Sequence, residues 1–464
     1  MSKRTRTVLF FICLVLFFLT VPLVILYSQG YRLDLEKRKI VKTGAFYFKT
    51  FPKEAMVFID RKPEKSTDFF FGATLIENLL PKKYLVSIEK LGRQTWKKNL
   101  EIKEAQVTEA KNIILVPEDL KYGLLEKDVK EFSFSPDGRK IVFKKDILDE
   151  KENPWTLKLY DLERGIKSHL VDKKQLSEKQ EVILLSIIWA PDSERIILKT
   201  EIEKEIKFFL LDLKKSPPNL KALEFLEGAE QVFFHPKDPQ KVFFSKKLES
   251  SLVLFGGSFE NGSESLASKD MITYKVSEDG IFWMSKDGSL QKSDFSGRSQ
   301  KLNFEPFPIG QEPIEIEVFN SNIFLKESGK LFLLNESLRK FQEIGNNLEA
   351  FKISSDAKKI CLWNGNEIWL VYLKEEQGQP EKKAGEKIFL TRFSEKIGKV
   401  FWLTSHYLIF NVESKIKIVE IDDRNEIQIW DLSDFKNPEI YFNQKDKKLY
   451  VFSGENIFVS EKLP

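Results

Sequence analysis

The sequence predicts a mainly β chain in three successive parts, and three observations carry that prediction. An uninterrupted apolar run over residues 8–27 follows the basic residues Lys3, Arg4 and Arg6. Strand-like alternation occupies residues 42–117. From residue 120 to 464 one hairpin pattern, clearest over residues 132–143 (FSFSPDGRKIVF), recurs about every 35 to 55 residues. These parts read as a transmembrane helix, a small β-sandwich-like domain and a β-propeller. A chain of 464 residues exceeds one ordinary core, and 40 phenylalanines supply bulk for several.

The apolar run has the length of one hydrocarbon core, since twenty helical residues span about 30 Å. A cleaved signal peptide has a shorter apolar region of about 7–15 residues and a small-x-small site. Ser28-Gln29-Gly30 is not such a site, and Phe11-Ile12 before Cys13 do not suit a lipoprotein signal. Pro22 would only kink the span. An uncleaved signal anchor is expected, with residues 1–7 cytoplasmic, 8–27 spanning and 28–41 a juxtamembrane linker. By the positive-inside rule the bulk of this single-pass plasma membrane protein lies outside the cytoplasm, although Arg32, Lys37, Arg38 and Lys39 place positive charge after the helix as well.

Residues 42–117 alternate at Ala45 and Tyr47, at Val57 and Ile59, and at Leu85 and Ser87-Ile88, with turn-rich or charged stretches between. Pro52-Lys53-Glu54-Ala55-Met56-Val57-Phe58-Ile59-Asp60, Gly72-Ala73-Thr74-Leu75, Leu79-Leu80-Pro81-Lys82-Lys83-Tyr84-Leu85-Val86 and Leu91-Gly92-Arg93-Gln94-Thr95-Trp96 occur in an order and spacing that resemble a PEGA domain. Glu54, Arg61, Lys82 and Arg93 depart from that pattern; the first three stand where it has glycine. The resemblance implies a small all-β module of bacterial or archaeal envelope proteins, a spacer or adhesion unit without catalytic residues. Pro52, Asp60 and Tyr84 then shape turns and core.

The repeats over 120–464 open near Phe132, Ile187, Val232, Tyr274, Ile316, Phe351, Val400 and Ile440. Each has an alternating pair, a polar turn and a returning pair; the turns run from SPDG through SSDA to NSN. Period-2 alternation excludes helical solenoids of similar repeat length. Pro presets the first turn φ and Gly accepts the positive φ of a tight hairpin. The units resemble TolB-like or WD-repeat-like blades, best in the first two. Eight blades are expected, or seven if one weak unit is a double-length insert. The last unit shows three strands, and Lys121–Leu125 (KYGLL) is expected to supply its fourth and hide the closing edges. Residues 214–222, 256–268 and 374–386 read as hydrophilic, mobile loops.

Chemical motifs are scarce. Lys+Arg 74 against Asp+Glu 70 leaves +4 in mixed clusters, which argues against a nucleic-acid groove. Cys13 and Cys361 are not expected to pair, and His169, His235 and His406 lack companions at metal spacing. There is no G-x-S-x-G elbow and no G-x-x-x-x-G-K-[ST] loop; Gly256-Gly257 reads as a flexible turn. Asp422-Asp423-Arg424-Asn425-Glu426 gathers oxygens that suit calcium or, more simply, a hairpin turn. Trp155, Trp283, Trp363, Trp369 and Trp430 suit a recognition face or blade cores. No catalytic, cofactor-binding or metal-ligating residue is assigned, and no cofactor is expected. The expected function is a membrane-anchored, extracytoplasmic, non-enzymatic binding scaffold of the cell envelope. Its partners would be the bilayer, through one helix, and a protein or glycan on a propeller face, with no nucleic acid. The alternatives are a propeller hydrolase or lyase with channel carboxylates, and an envelope sensor acting through a membrane partner.

Overall fold

The computed structural model of the chain describes residues 3–35, 37–147, 154–215, 217–248, 251–260, 264–295 and 298–464. It is mainly β, with one N-terminal apolar helix, α1 (Lys3–Ser28). The helix has a mean hydropathy of 3.1 and none of its window is buried against the rest of the chain. It is long and apolar enough to cross a membrane.

Residues 28–41, expected as a plain linker, contain a hairpin instead: β1 (Tyr31–Asp34) pairs with β2 (Lys39–Lys42). Arg32 explains the order. Its guanidinium lies 3.5 Å from the Tyr27 ring centre, and it donates to the Tyr27 carbonyl and to Asn78 Oδ1. The end of the helix is thereby tied to the β structure beyond it.

Two sheets follow. Strand β3 (Gly44–Phe51) is flanked by β6 (Ala73–Leu79) and by β9 (Val107–Ile114), the latter parallel to it. The second sheet runs in the order β5 (Lys62–Ser66), β4 (Met56–Ile59), β7 (Lys83–Glu89), β8 (Trp96–Glu101). Period-2 alternation sends Phe46 and Phe48 from one sheet, and Val57, Val86, Ile88 and Trp96 from the other, into a common core.

Beyond it lies a propeller-like series of antiparallel sheets. The first joins Val129–Phe134, Lys140–Asp146, Trp155–Asp161 and Ile166–Asp172. Four-stranded sheets likewise begin at Val182–Trp189, Glu315–Phe319, Ala350–Ile353 and Ile397–Thr404. Between them a seven-stranded sheet runs from Gln231–His235 to Ser299–Lys301. Its fourth strand, Glu264–Ser277, pairs backwards through residues 264–271 and forwards through residues 271–277. The last sheet contains Glu439–Asn443, Lys448–Ser453 and Asn456–Ser460, and β10 (Tyr122–Glu126) pairs antiparallel with Asn456–Ser460. The two ends of this part therefore share one sheet, through the segment singled out in the sequence.

Two of the three expected loops are strands in part. Asn219–Ala222 is the outer strand of the sheet that begins at Val182–Trp189. Gly256 and Gly257 sit in Ser251–Ser258, opposite Phe243 and Val242. A Cβ on Gly257 would lie 2.6 Å from the Phe225 ring, so this glycine serves ring packing, not a flexible turn. Residue 216 of the first stretch and residues 261–263 of the second lie outside the described residues.

The SPDG turn is more than a local device. Ser135 Oγ donates to Asp137 Oδ1 at 2.6 Å and accepts from the Lys140 amide at 2.9 Å. Gly138 has φ +68, and Asn443 of the last sheet donates Nδ2 to its carbonyl at 2.7 Å. A Cβ there would lie 2.4 Å from Asn443 Oδ1. Lys140 Nζ meanwhile reaches the Ser193 carbonyl and Glu194 in the equivalent turn of the second sheet. Gly138→Ala is therefore expected to destabilise the full chain by about 2 kcal/mol or more in equilibrium denaturation. Gly123→Ala, in open space, is expected to change stability by less than about 0.5 kcal/mol.

Candidate functional site

The richest polar constellation lies where the sandwich meets the sheet that begins at Ile397–Thr404. One continuous apolar core spans both: Phe46, Val86 and Leu100 cluster with Leu403, Ile409, Ile416 and Ile418. Inside this contact sits a lysine. In β8 the alternation Trp96, Lys98, Leu100 turns Lys98 inward, and its side chain is fully buried. Its Nζ lies 2.7 Å from Glu420 Oε1 and donates to the carbonyls of Asp422 (2.6 Å), Glu426 (3.0 Å) and Arg424 (3.2 Å). Trp96 Nε1 donates to the other oxygen of Glu420 at 2.9 Å. The oxygens of residues 422–426, weighed for calcium in the sequence, thus hold an ammonium supplied by the sandwich.

The expected mobile stretch 374–386 completes the contact. Gln379 accepts from the Glu109 amide at 2.8 Å and donates to the Val107 carbonyl at 3.0 Å, clipping the stretch onto β9. Lys382 is 2.7 Å from both Glu386 and Asp423. Buried Lys359 contacts Glu376 at 2.6 Å and Asp356 at 3.1 Å. The three lysines buried among the described residues, Lys98, Lys359 and Lys382, all belong to this junction. A buried ammonium costs several kcal/mol unless paired, so each holds its carboxylate partners in place.

Between sandwich and sheets a cavity of about 330 Å³ remains, bordered by Glu109, Asp356, Tyr372, His406, Asp422 and Arg424. Its carboxylates are already engaged. Burial pushes the Asp356 carboxyl up, but Ser354, the Lys358 amide and Lys359 outweigh it and hold it at about 2. Burial also works against ionised Asp422, yet Arg424, 2.6 Å away, keeps it below the usual range. Burial raises Glu420 against the pull of Lys98 and Trp96. Its two oxygens are taken by Lys98, the Gln428 amide and Trp96. A free general acid or base needs an unoccupied oxygen that can reach a substrate; Glu420 is 2% exposed and both its oxygens are engaged. Burial pushes the His406 imidazole below its usual range.

The other residues singled out in the sequence scatter. His169 contacts Asp172 at 2.9 Å, and His235 stacks on Phe243. Cys361 is buried, and burial pushes its thiol well up; Cys13 is exposed on α1. Trp155, Trp363 and Trp430 are buried in cores, while Trp283 and Trp369 are half-buried. Lys98 and Glu420 were missed. The signal was present, because both occupy the inward phase of alternating strands.

No family model matches this sequence, and no curated protein matches it. Solved structures similar to it are propellers. The WD40 domain of SCAP from fission yeast is 11% identical, with 74% of this chain and 98% of that one covered at a TM-score of 0.47. Sqt1 of Saccharomyces cerevisiae is 11% identical, with 75% and 100% covered at 0.46. An oligogalacturonate lyase from Vibrio parahaemolyticus is 12% identical, with 74% and 97% covered at 0.41. At such identities and scores these likenesses add nothing to what the sheets display.

Lys98→Met leaves Glu420 and three carbonyls without their cation, and is expected to cost about 3–5 kcal/mol in denaturation of the full chain. Adding Glu420→Leu should recover a large part of that loss. Asp356 has a second readout. Its lowered pKa means the ionised form is favoured in the fold, so its contribution is present above about pH 4 and lost as pH falls towards 2. Asp356→Asn should be less stable than the parent at pH 7, with the gap closing as pH is lowered through that window.

Proposed function

We propose that this chain is a membrane-anchored, non-enzymatic scaffold of the cell envelope that holds a β-propeller rigidly above the bilayer and binds a protein on one propeller face. The observation that carries the reading is the unbroken mechanical path from α1 through the hairpin and the sandwich into the last sheets. An anchor joined to a shared core orients what it carries; a flexible tether would not.

In this reading residues 1–7 are cytoplasmic, 8–27 span the membrane, 42–117 form a PEGA-like spacer, and 120–464 form an eight-bladed propeller outside the cytoplasm. The spacer assignment draws support from its turns: Glu54 and Arg61, at glycine positions of the resembled pattern, hold φ +57 and +67. Eight blades are supported by the sheets. The eight repeat openings all lie on the first strand of a unit, with Tyr274 in the forward half of the long strand Glu264–Ser277. The third and fourth blades then share that strand. Phe233 packs edge-on against Tyr274, Trp189 donates to Ser133 Oγ, and Phe134 stacks on Tyr441 at 3.9 Å, each contact joining the first strands of neighbouring blades. Protein binding on loops and faces of a rigid β scaffold needs no catalytic group. The alternative of channel carboxylates is disfavoured because Glu317 contacts Lys275 at 2.8 Å and Glu439 contacts Lys399.

Leu338 is exposed. In spheroplasts of a bacterial host, the full-length Cys13→Ser/Leu338→Cys protein should react with a membrane-impermeant maleimide without permeabilisation. Labelling only after permeabilisation would overturn the orientation. Hydrolysis of peptides or glycosides by the purified full chain would overturn the non-enzymatic assignment.

A further inference from the structure

The first strands of the last four units border a pocket of about 570 Å³. Its walls are largely aromatic, with Phe319, Phe351, Phe401 and Tyr441 contributing. Three acidic side chains lie on these strands, and each has a lysine partner: Glu315 with Lys326 (3.7 Å), Glu317 with Lys275 (2.8 Å) and Glu439 with Lys399. Lys352 has none. Its ammonium makes no ion pair or hydrogen bond among the described residues, and lies 3.5 Å from the centre of the Phe401 ring. The local charges therefore sum to one uncompensated cation on an aromatic wall. Burial, and then the nearby charge of Lys399, push the Lys352 amine down to about 8, a sign of how little in the protein balances it.

A cation held over an aromatic face gains part of what desolvation costs it, and a carboxylate entering the pocket would supply the rest. A carboxylate alone would leave the aromatic walls wet, so the complementary ligand carries an apolar group beside its anion. We propose that this pocket takes a peptide segment of a partner protein, seating a carboxylate on Lys352 and an adjacent aromatic or aliphatic side chain against Phe319 and Phe401. The proposal deepens the scaffold reading and rests on it, because it names the chemistry of the partner.

The test uses the purified full-length chain in nanodiscs and two capped dipeptides, N-acetyl-Phe-Glu amide and its neutral isostere N-acetyl-Phe-Gln amide, titrated by ligand-observed NMR. The acidic peptide should bind about tenfold more tightly, the discrimination expected of one charge-assisted contact. A third probe, N-acetyl-Gln-Phe with a free C-terminal carboxylate, distinguishes a side-chain from a chain-terminal anion: whichever acid binds more tightly names the source. Lys352→Met should erase the preference, whereas Lys352→Arg and the charge-pair control Glu315→Gln/Lys326→Met, which leaves the local sum unchanged, should keep it. If Lys352→Met fails to fold, Lys352→Gln, which keeps a polar side chain without the charge, decides the point by the same loss of preference. Equal affinity for acid and amide, binding by none of the probes, or a preference surviving Lys352→Met would overturn the proposal. None of these outcomes bears on the orientation measured by maleimide labelling, so the two failures are distinguishable.

Discussion

The structure depends on one buried ammonium. Lys98 belongs to the sandwich, yet its partners, Glu420 and the carbonyls of residues 422, 424 and 426, belong to the sheet that begins at Ile397–Thr404. Neither side satisfies the charge alone. A lysine fully buried without that carboxylate, or a carboxylate without that lysine, would be strongly unfavourable. The pair therefore contributes less to net stability than to uniqueness, because it permits one relative placement of the two bodies and penalises the rest. The surrounding apolar core supplies the attraction, being non-directional and proportional to area buried. Lys98 supplies the register.

The junction extends that logic. Lys359 and Lys382 brace the stretch 374–386, which Gln379 clips to β9 of the sandwich. Arg424 reaches across to the Glu109 carbonyl at 2.7 Å, and Tyr407 accepts from the Ile114 amide at 3.0 Å through its hydroxyl. At the other strand flanking β3, Arg32 ties the helix end to Asn78 of β6. Hydrogen-bonded side chains thus link α1 through the sandwich to the sheets.

Much of this was legible in the sequence, and what was not has physical reasons. Strand alternation located the units because one face of each strand must be buried, and KYGLL was placed because a sheet edge demands a partner. In the described parts of 214–222 and 256–268, the edge strand Asn219–Ala222 carries mostly polar side chains and Gly257 carries none; their order comes from backbone pairing and, at Gly257, from Phe225. The stretch 374–386 misled for another reason: its order is tertiary, fixed by Gln379 and Lys382 against residues far away in the chain. Lys98 was written in the sequence as a charged residue at an inward position. Its partner at Glu420, more than three hundred residues later, was not, since single-strand patterning carries no pairing between distant elements.

The central claim is that sandwich and propeller form one body. Leu91 of the sandwich and Leu338 of the sheet that begins at Glu315–Phe319 are both exposed. The full-length Cys13→Ser/Leu91→Cys/Leu338→Cys protein, spin-labelled in nanodiscs, can be read by double electron–electron resonance. The account predicts a single narrow distance distribution, and a broad or multimodal one in the parent background would contradict it.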